Sequence, residues 1–200
     1  MRLGLFGGTF DPIHDAHLAV AREAADAFEL DEVWFIPNAI PPHKTAGRQA
    51  SWQDRFRMVE LACETDPRFR ASRLEEAERK SYTIHTLEAV RALLQPEDRI
   101  FFLIGADAFA EIDIWFRKQE VFAMVEFVVV SRPGHVYQVP EGACIHRLES
   151  LQMSVSSTGI RQRLEAGDTE VPVPAAVLGY IREHRIYRNA EGMRSRTPGN

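Results

Sequence analysis

The chain has 200 residues, 45% of them hydrophobic and 26% charged, with a formal net charge of -5. That length buries a sizeable core without disulfides or a structural metal, so one domain is expected over residues 1–188, followed by a disordered tail at 189–200. No apolar run reaches bilayer length, the start lacks a secretory-signal pattern, and the acidic balance disfavours a nucleic-acid polymer; a cytoplasmic protein with neither membrane nor nucleic acid as partner is expected.

In chain order, apolar periodicity predicts a strand at Leu3 to Phe6, a helix from about Ile13 to Phe28 and a strand at Val33 to Ile36. A proline-rich loop, PNAIPPHKTAGRQA, follows. Next come a helix from Trp52 to about Glu64, a weak strand at Phe69 to Ala71, a helix at Ile84 to Leu94 and a strand at Ile100 to Ile104. Short helical pieces lead to Phe127 to Val130, whose unbroken FVVV suits a strand buried on both faces. A strand at Ala143 to Leu148 and helices at about Thr158 to Ala166 and Ala175 to His184 complete the chain. This alternation predicts an α/β fold, a doubly wound parallel sheet with helices on both faces and a small C-terminal helical part. Ligands of such sheets sit beyond the carboxyl ends of the strands. Cys63 and Cys144 stand alone in apolar contexts and read as buried thiols without a disulfide or metal role.

The stretch RLGLFGGTFDPIHDAHL, Arg2 to Leu18, carries the first chemical signal. Gly7 and Gly8 follow a strand, where a tight turn without side chains exposes backbone amides to an anion. Neither the Walker nor the dinucleotide glycine pattern is present. Asp11 before Pro12 is a helix-start signal, and His14 and His17, three residues apart, then share the face of a helix tip. Both imidazoles can then point where the macrodipole and the Gly-turn amides point, toward a shared phosphate, although a chance surface pair has the same spacing. A zinc site of the HExxH type is disfavoured because the spacing differs and no glutamate lies between.

A second signal, SVSSTGIRQRL, spans Ser154 to Leu164. Ser156, Ser157 and Thr158 can cap a helix and donate hydrogen bonds, while Arg161 lies within its first turn. Hydroxyls, free amides and a guanidinium suit a polyphosphate, although a plain capped helix with a solvated arginine explains the same residues.

GGTFDPIHDAH and SVSSTGIR together resemble the two signatures of the HxGH nucleotidyltransferases, which have a Rossmann-like sheet. Within that superfamily the chain is similar to the bacterial nicotinate-nucleotide adenylyltransferase family over about residues 1 to 187, through PNAIPPHK, SYTIHTL, LIGADAF and IDIWF. Ala16 departs from the pattern, standing where the superfamily usually has glycine. The resemblance implies adenylyl transfer from ATP to nicotinate mononucleotide, with Mg²⁺ carried mainly by the ATP phosphates and no metal ligand from the protein. It assigns Gly7, Gly8, Thr9, Phe10, His14 and His17 to the ATP phosphates, and Asp107 to the ATP ribose. Ser156, Ser157, Thr158 and Arg161 go to the leaving pyrophosphate. Lys44 adds charge over the reacting phosphates, with His43 beside it, so that His14, His17, Lys44 and Arg161 form the catalytic set. For the mononucleotide it implies Asn38, His43, Lys44, Thr83, Thr86, Trp115 and Arg132. Phosphopantetheine adenylyltransferase or a cytidylyltransferase shares the two signatures but lacks the SYTIHTL and GADAF context. A non-catalytic nucleotide-binding regulator is the alternative of another class. Whether the chain forms a homo-oligomer is left open.

Overall fold

The computed structural model describes residues 1–39, 50–76, 82–134, 136–150 and 155–187. His43, Lys44 and the proposed tail at 189–200 therefore lie outside the described residues. Six strands, β1 (Arg2–Gly8), β2 (Glu32–Pro37), β3 (Phe69–Ala71), β4 (Arg99–Gly105), β5 (Glu126–Ser131) and β6 (Cys144–Glu149), form one sheet in the order β3-β2-β1-β4-β5-β6. Every neighbouring pair is parallel. The helices are α1 (Asp15–Ala27), α2 (Trp52–Cys63), α3 (Thr83–Arg91), α4 (Ala106–Phe109), α5 (Lys118–Met124), α6 (Ser157–Glu165) and α7 (Ala175–Glu183), with a 3-10 turn at Ile112–Ile114.

Strand side chains alternate between two cores, as the two-residue period of a strand requires. Val33, Phe35, Phe101, Leu103 and Val128 face one core, together with residues of α1, α2, α6 and α7. Leu3, Leu5, Ile100, Phe127 and Val129 face the other, against α3, α4 and α5. Phe127 to Val130 is buried throughout, as expected for an inner strand covered on both sides. From central β1 the chain first winds outward through β2 and β3, then returns to β4 and winds through β5 and β6 on the other side. The carboxyl ends of β1 and β4 thus flank a topological switch point, where neighbouring connections diverge and open a crevice.

Two local expectations change. Asp11 does not cap α1: the N-cap is His14 and the helix begins at Asp15. The glycine pair does not make the turn either, since Gly7 and Gly8 are the last residues of β1 and pair with Ile36 and Pro37. The turn is made by Phe10, whose φ of 49° is left-handed. Gly8 is needed for space instead, because a Cβ there would sit 3.0 Å from the Phe10 ring. Cys63 is buried as expected, whereas Cys144 is exposed on β6, which as an edge strand has one side of its ladder uncovered.

Candidate active site

The two motifs meet although nearly 150 positions separate them. Arg161 of α6 donates through Nη1 to the backbone carbonyl of Asp11 at 2.7 Å, a contact spanning 150 positions. Ser157 Oγ donates to the carbonyl of Pro12 at 3.0 Å. The Asp15 amide, at the start of α1, donates to Pro172 between α6 and α7 at 3.0 Å. These bonds place the amino-terminal tips of α1 and α6 side by side over the switch point.

Between them is a cavity of about 280 Å³, walled by Phe6, Gly105 and Val130 from the β1, β4 and β5 carboxyl ends. His14, Ala16 and His17 line it from the first motif, and Val155 and Ser157 from the second. Ala16, itself buried, is thus part of the cavity wall.

The histidines are stacked, with ring centroids 3.6 Å apart and planes 20° from parallel. His17 Nδ1 accepts the His14 backbone N–H at 3.2 Å, satisfying an amide left over at the helix start. A ring nitrogen that accepts cannot carry the proton, so neutral His17 holds its hydrogen on Nε2. Phe6 and Phe10 pack edge-on against His17 at 5.9 and 5.1 Å and fix the ring plane. Buried His14 Nδ1 has no hydrogen-bond partner among the described residues. A buried polar atom without a partner is costly unless a ligand or water supplies one.

Burial pushes the His14 imidazole down to about 4. Burial, and then the charge of His14, push His17 well below its ordinary value. Within the protein alone both rings are therefore neutral at pH 7, whereas a polyanion set beside them favours the protonated forms. A consequence for stability follows. The unfolded chain takes up a proton on His14 near pH 6.5 and the folded chain only near 4, so acidification across that window favours unfolding. Above pH 6.5 neither form is protonated and this penalty is absent. We expect denaturation midpoints to fall between pH 6.5 and 4 by an amount that a His14→Gln variant loses, amounting to roughly 3 kcal/mol at the acid end. Parallel slopes for the two proteins in guanidinium titrations across that range would refute it.

Ser156 is the N-cap of α6 and accepts from the Gly159 amide at 3.2 Å, as the hydroxyl run predicts. Thr158 Oγ1 accepts from Arg161 Nη2 at 3.2 Å. Arg161 is thus already held by the protein, although a guanidinium has five N–H donors and these contacts leave some for a phosphate. Asp107 is exposed in α4, two residues past the cavity wall at Gly105. Asn38 follows β2, donates to Gly8 at 2.9 Å and accepts from Arg55 at 2.8 Å. Arg132 is exposed just beyond β5.

Thr83, Thr86 and Trp115 form a second group outside those walls. Tyr82 and Phe116, with centroids 4.9 Å apart, join the start of α3 to the segment bearing Trp115. Trp115 also packs edge-on against Phe102 at 6.0 Å. Thr86 is buried and donates to Glu75 at 2.7 Å, so a packing role accompanies any role toward ligand.

Sequence reasoning missed three supporting residues. Asp11 is 1% exposed and its Oδ1 accepts from the Ala50 amide at 3.0 Å and from the Tyr187 hydroxyl at 2.6 Å. The Arg161 guanidinium lies 3.6 Å from Oδ2. Arg55, 2% exposed, donates to the carbonyls of Thr9 at 2.6 Å and Asn38 at 2.8 Å. One signal was available for Arg55: it occupies the apolar stripe of α2 with Met58, Val59 and Ala62, a position where an unpaired cation is not tolerated. Burial, and next the Asp11 charge, hold the Tyr187 phenol protonated far above its ordinary value, so it acts as the donor to Asp11.

A parallel α/β sheet whose switch-point cavity receives paired imidazoles and a hydroxyl-rich helix tip is the architecture of a nucleotidyltransferase. The Cytidylyltransferase-like family model matches residues 5–163. A probable nicotinate-nucleotide adenylyltransferase of Solibacter usitatus is 54% identical over 187 residues, 94% of this chain and 100% of that protein. One from Geobacillus kaustophilus is 41% identical, covering 98% of this chain and 90% of the relative. The chain belongs to the nicotinate-nucleotide adenylyltransferase family. Its fold matches that of Plasmodium falciparum nicotinic acid mononucleotide adenylyltransferase complexed with NaAD, with a TM-score of 0.75 at 18% identity over 93% of this chain and 97% of that one.

Proposed function

We propose that this chain transfers the adenylyl group of ATP to nicotinate mononucleotide, giving nicotinic acid adenine dinucleotide and pyrophosphate in the cytoplasm. The observation that carries the reading is the convergence of α1 and α6 on one switch-point cavity, in a chain belonging to this family. The mononucleotide phosphate is ionised at neutral pH and attacks the α-phosphorus of ATP directly, so no covalent enzyme group is needed. The protein's task is to align two polyanions and to stabilise charge developing on the phosphate oxygens.

His17 Nε2–H donates toward the α-phosphate, and His14, whose ring stacks on it, donates beside it. As the reacting phosphorus becomes five-coordinate its oxygens gain charge, and fixed donors in a partly apolar cavity gain strength with them. The backbone from Gly7 to Phe10 borders the same anion. Ser156, Ser157 and Thr158 hold the departing pyrophosphate at the α6 tip, with Arg161 contributing charge from behind. Asp107 accepts from the ATP ribose. Arg55 holds the carbonyl of Asn38 and Asp11 holds the amide of Ala50, so the chain is anchored on both sides of residues 40–49. That supports Lys44 as the cation over the reacting phosphates, with His43 beside it. Asn38 and Arg132, at strand ends, contact the mononucleotide. Trp115 stacks on the nicotinate ring, and Thr83 and Thr86 with nearby amides donate to its carboxylate. The cavity side chains are imidazole and hydroxyl, which suit phosphate better than a hard cation, so Mg²⁺ would be carried by the triphosphate and water and would supply neutralising charge there.

The test is pyrophosphate release with ATP, Mg²⁺ and either mononucleotide. Nicotinate mononucleotide is expected to be turned over with the higher kcat/KM, because donors arranged for a carboxylate leave the amide's own N–H groups unpaired. No release with either mononucleotide would overturn the assignment, and preference for the amide would overturn the ring assignment.

A further inference from the structure

The active-site cavity opens at the carboxyl ends of the strands. At their amino ends three metal-ligating side chains converge. Glu126 begins β5 and Cys144 begins β6, and the two are register partners. His146 lies two residues along β6, so its side chain leaves the same face of the sheet as Cys144. Donor atoms of Glu126, Cys144 and His146 all lie within 4.8 Å of one another. Cavity-lining Val130 is four positions along β5 from Glu126, about 13 Å at the rise of a strand.

The geometry points to a second site, in which Glu126, Cys144 and His146 bind a borderline-soft divalent transition metal of the Zn²⁺ type. The donor set decides the class: thiolate and imidazole select such ions, whereas Mg²⁺ and Ca²⁺ prefer all-oxygen sites. An ion bonded at about 2.0–2.3 Å spans donors roughly 3.5 Å apart, so small side-chain rotations close the set. Two of the ligands are already held. Arg99 grips the Glu126 carboxylate through Nε and Nη2, both at 2.7 Å. The His146 ring rests 5.1 Å from Phe28 and 6.0 Å from Phe101. Partners of this kind orient ligands from the next shell. His146 Nε2 and Glu126 Oε2, now 2.8 Å apart, would exchange their mutual hydrogen bond for bonds to the ion. The thiol proton passes to solvent as the sulfur–metal bond forms, and the imidazole binds through the Nε2 lone pair with its proton on Nδ1. Three protein ligands leave a fourth tetrahedral position to water.

Co²⁺ is the probe. Added to the metal-free full chain, it is expected to give a thiolate-to-metal charge-transfer band and a tetrahedral visible band, both displaced by Zn²⁺. Cys144→Ser should abolish the charge-transfer band, and His146→Gln should weaken Co²⁺ binding at least about 10-fold, both with unchanged circular dichroism. Adenylyl transfer by Cys144→Ser should equal that of the parent, which separates this site from the active site. Absence of a charge-transfer band, or its persistence in Cys144→Ser, would overturn the proposal. Binding seen only through nitrogen ligation would place the ion at His14 and His17 and overturn it equally.

Discussion

Replacing His17 with alanine is expected to lower kcat about 10²- to 10³-fold, the usual cost of removing one fixed donor from a charged transition state. Two functions of this ring have to be separated. Its Nδ1 accepts the His14 amide and so helps to start α1, while Nε2–H, on a ring that lines the cavity, is the donor proposed for the phosphate. Asparagine places its carbonyl oxygen close to where Nδ1 sits but has no donor at the Nε2 position. His17→Asn should therefore keep more of the parent's thermal stability than His17→Ala and yet show a similar loss of kcat. Steady-state pyrophosphate release and melting curves on all three proteins check this. If His17→Asn restores turnover, the ring serves only as a helix cap and the donor role fails.

Asp11→Ala is expected to destabilise the fold by about 3–5 kcal/mol, the range for removing one partner of a buried ion pair. For a chain of this size that lowers the melting temperature by roughly 10 °C. The reason is where the carboxylate sits: Ala50 before α2, Arg161 of α6 and Tyr187 beyond α7 all converge on it. Without it the Tyr187 hydroxyl loses its acceptor and the neighbouring guanidiniums of Arg161 and Arg55 lose the charge that compensates their burial. Tyr187→Phe removes a single hydrogen bond and should cost only about 1 kcal/mol. Because the carboxylate lies 3.6 Å from the Arg161 guanidinium that holds the α6 tip to the Asp11 carbonyl, the Asp11 variant should also lose activity beyond its folded fraction, measured below its melting transition. Equal melting temperatures for Asp11→Ala and Tyr187→Phe would show that the carboxylate carries no charge role.

Both predictions concern residues inside the same short motif, and they were not equally visible beforehand. His14 and His17 could be placed at a helix tip from their spacing together with the Gly turn and the Asp-Pro start signal before them. The function of Asp11 could not be inferred that way, because a residue before proline in a loop looks like a cap whether its carboxylate turns to the next amide or into the core. Phe10 is similar: the glycine pair marks a turn by composition, but both glycines complete β1 and the left-handed backbone falls on the phenylalanine.

The order and type of the elements, the parallel sheet and the two phosphate-type motifs are legible along the chain. All of these rest on short-range periodicity and on residue chemistry that neighbours within a few positions express. Folding is what brings α1 and α6 to one cavity, turns Asp11 and Arg55 into the interior, and sets exposed Cys144 beside Glu126 and His146. Such contacts join residues tens to more than a hundred positions apart, and whether a charged or thiol group is buried, paired or left beside a ligand depends on which strands the sheet sets next to each other. A strand's register is fixed by its partner, so no local pattern in β6 reveals that Cys144 is paired with Glu126.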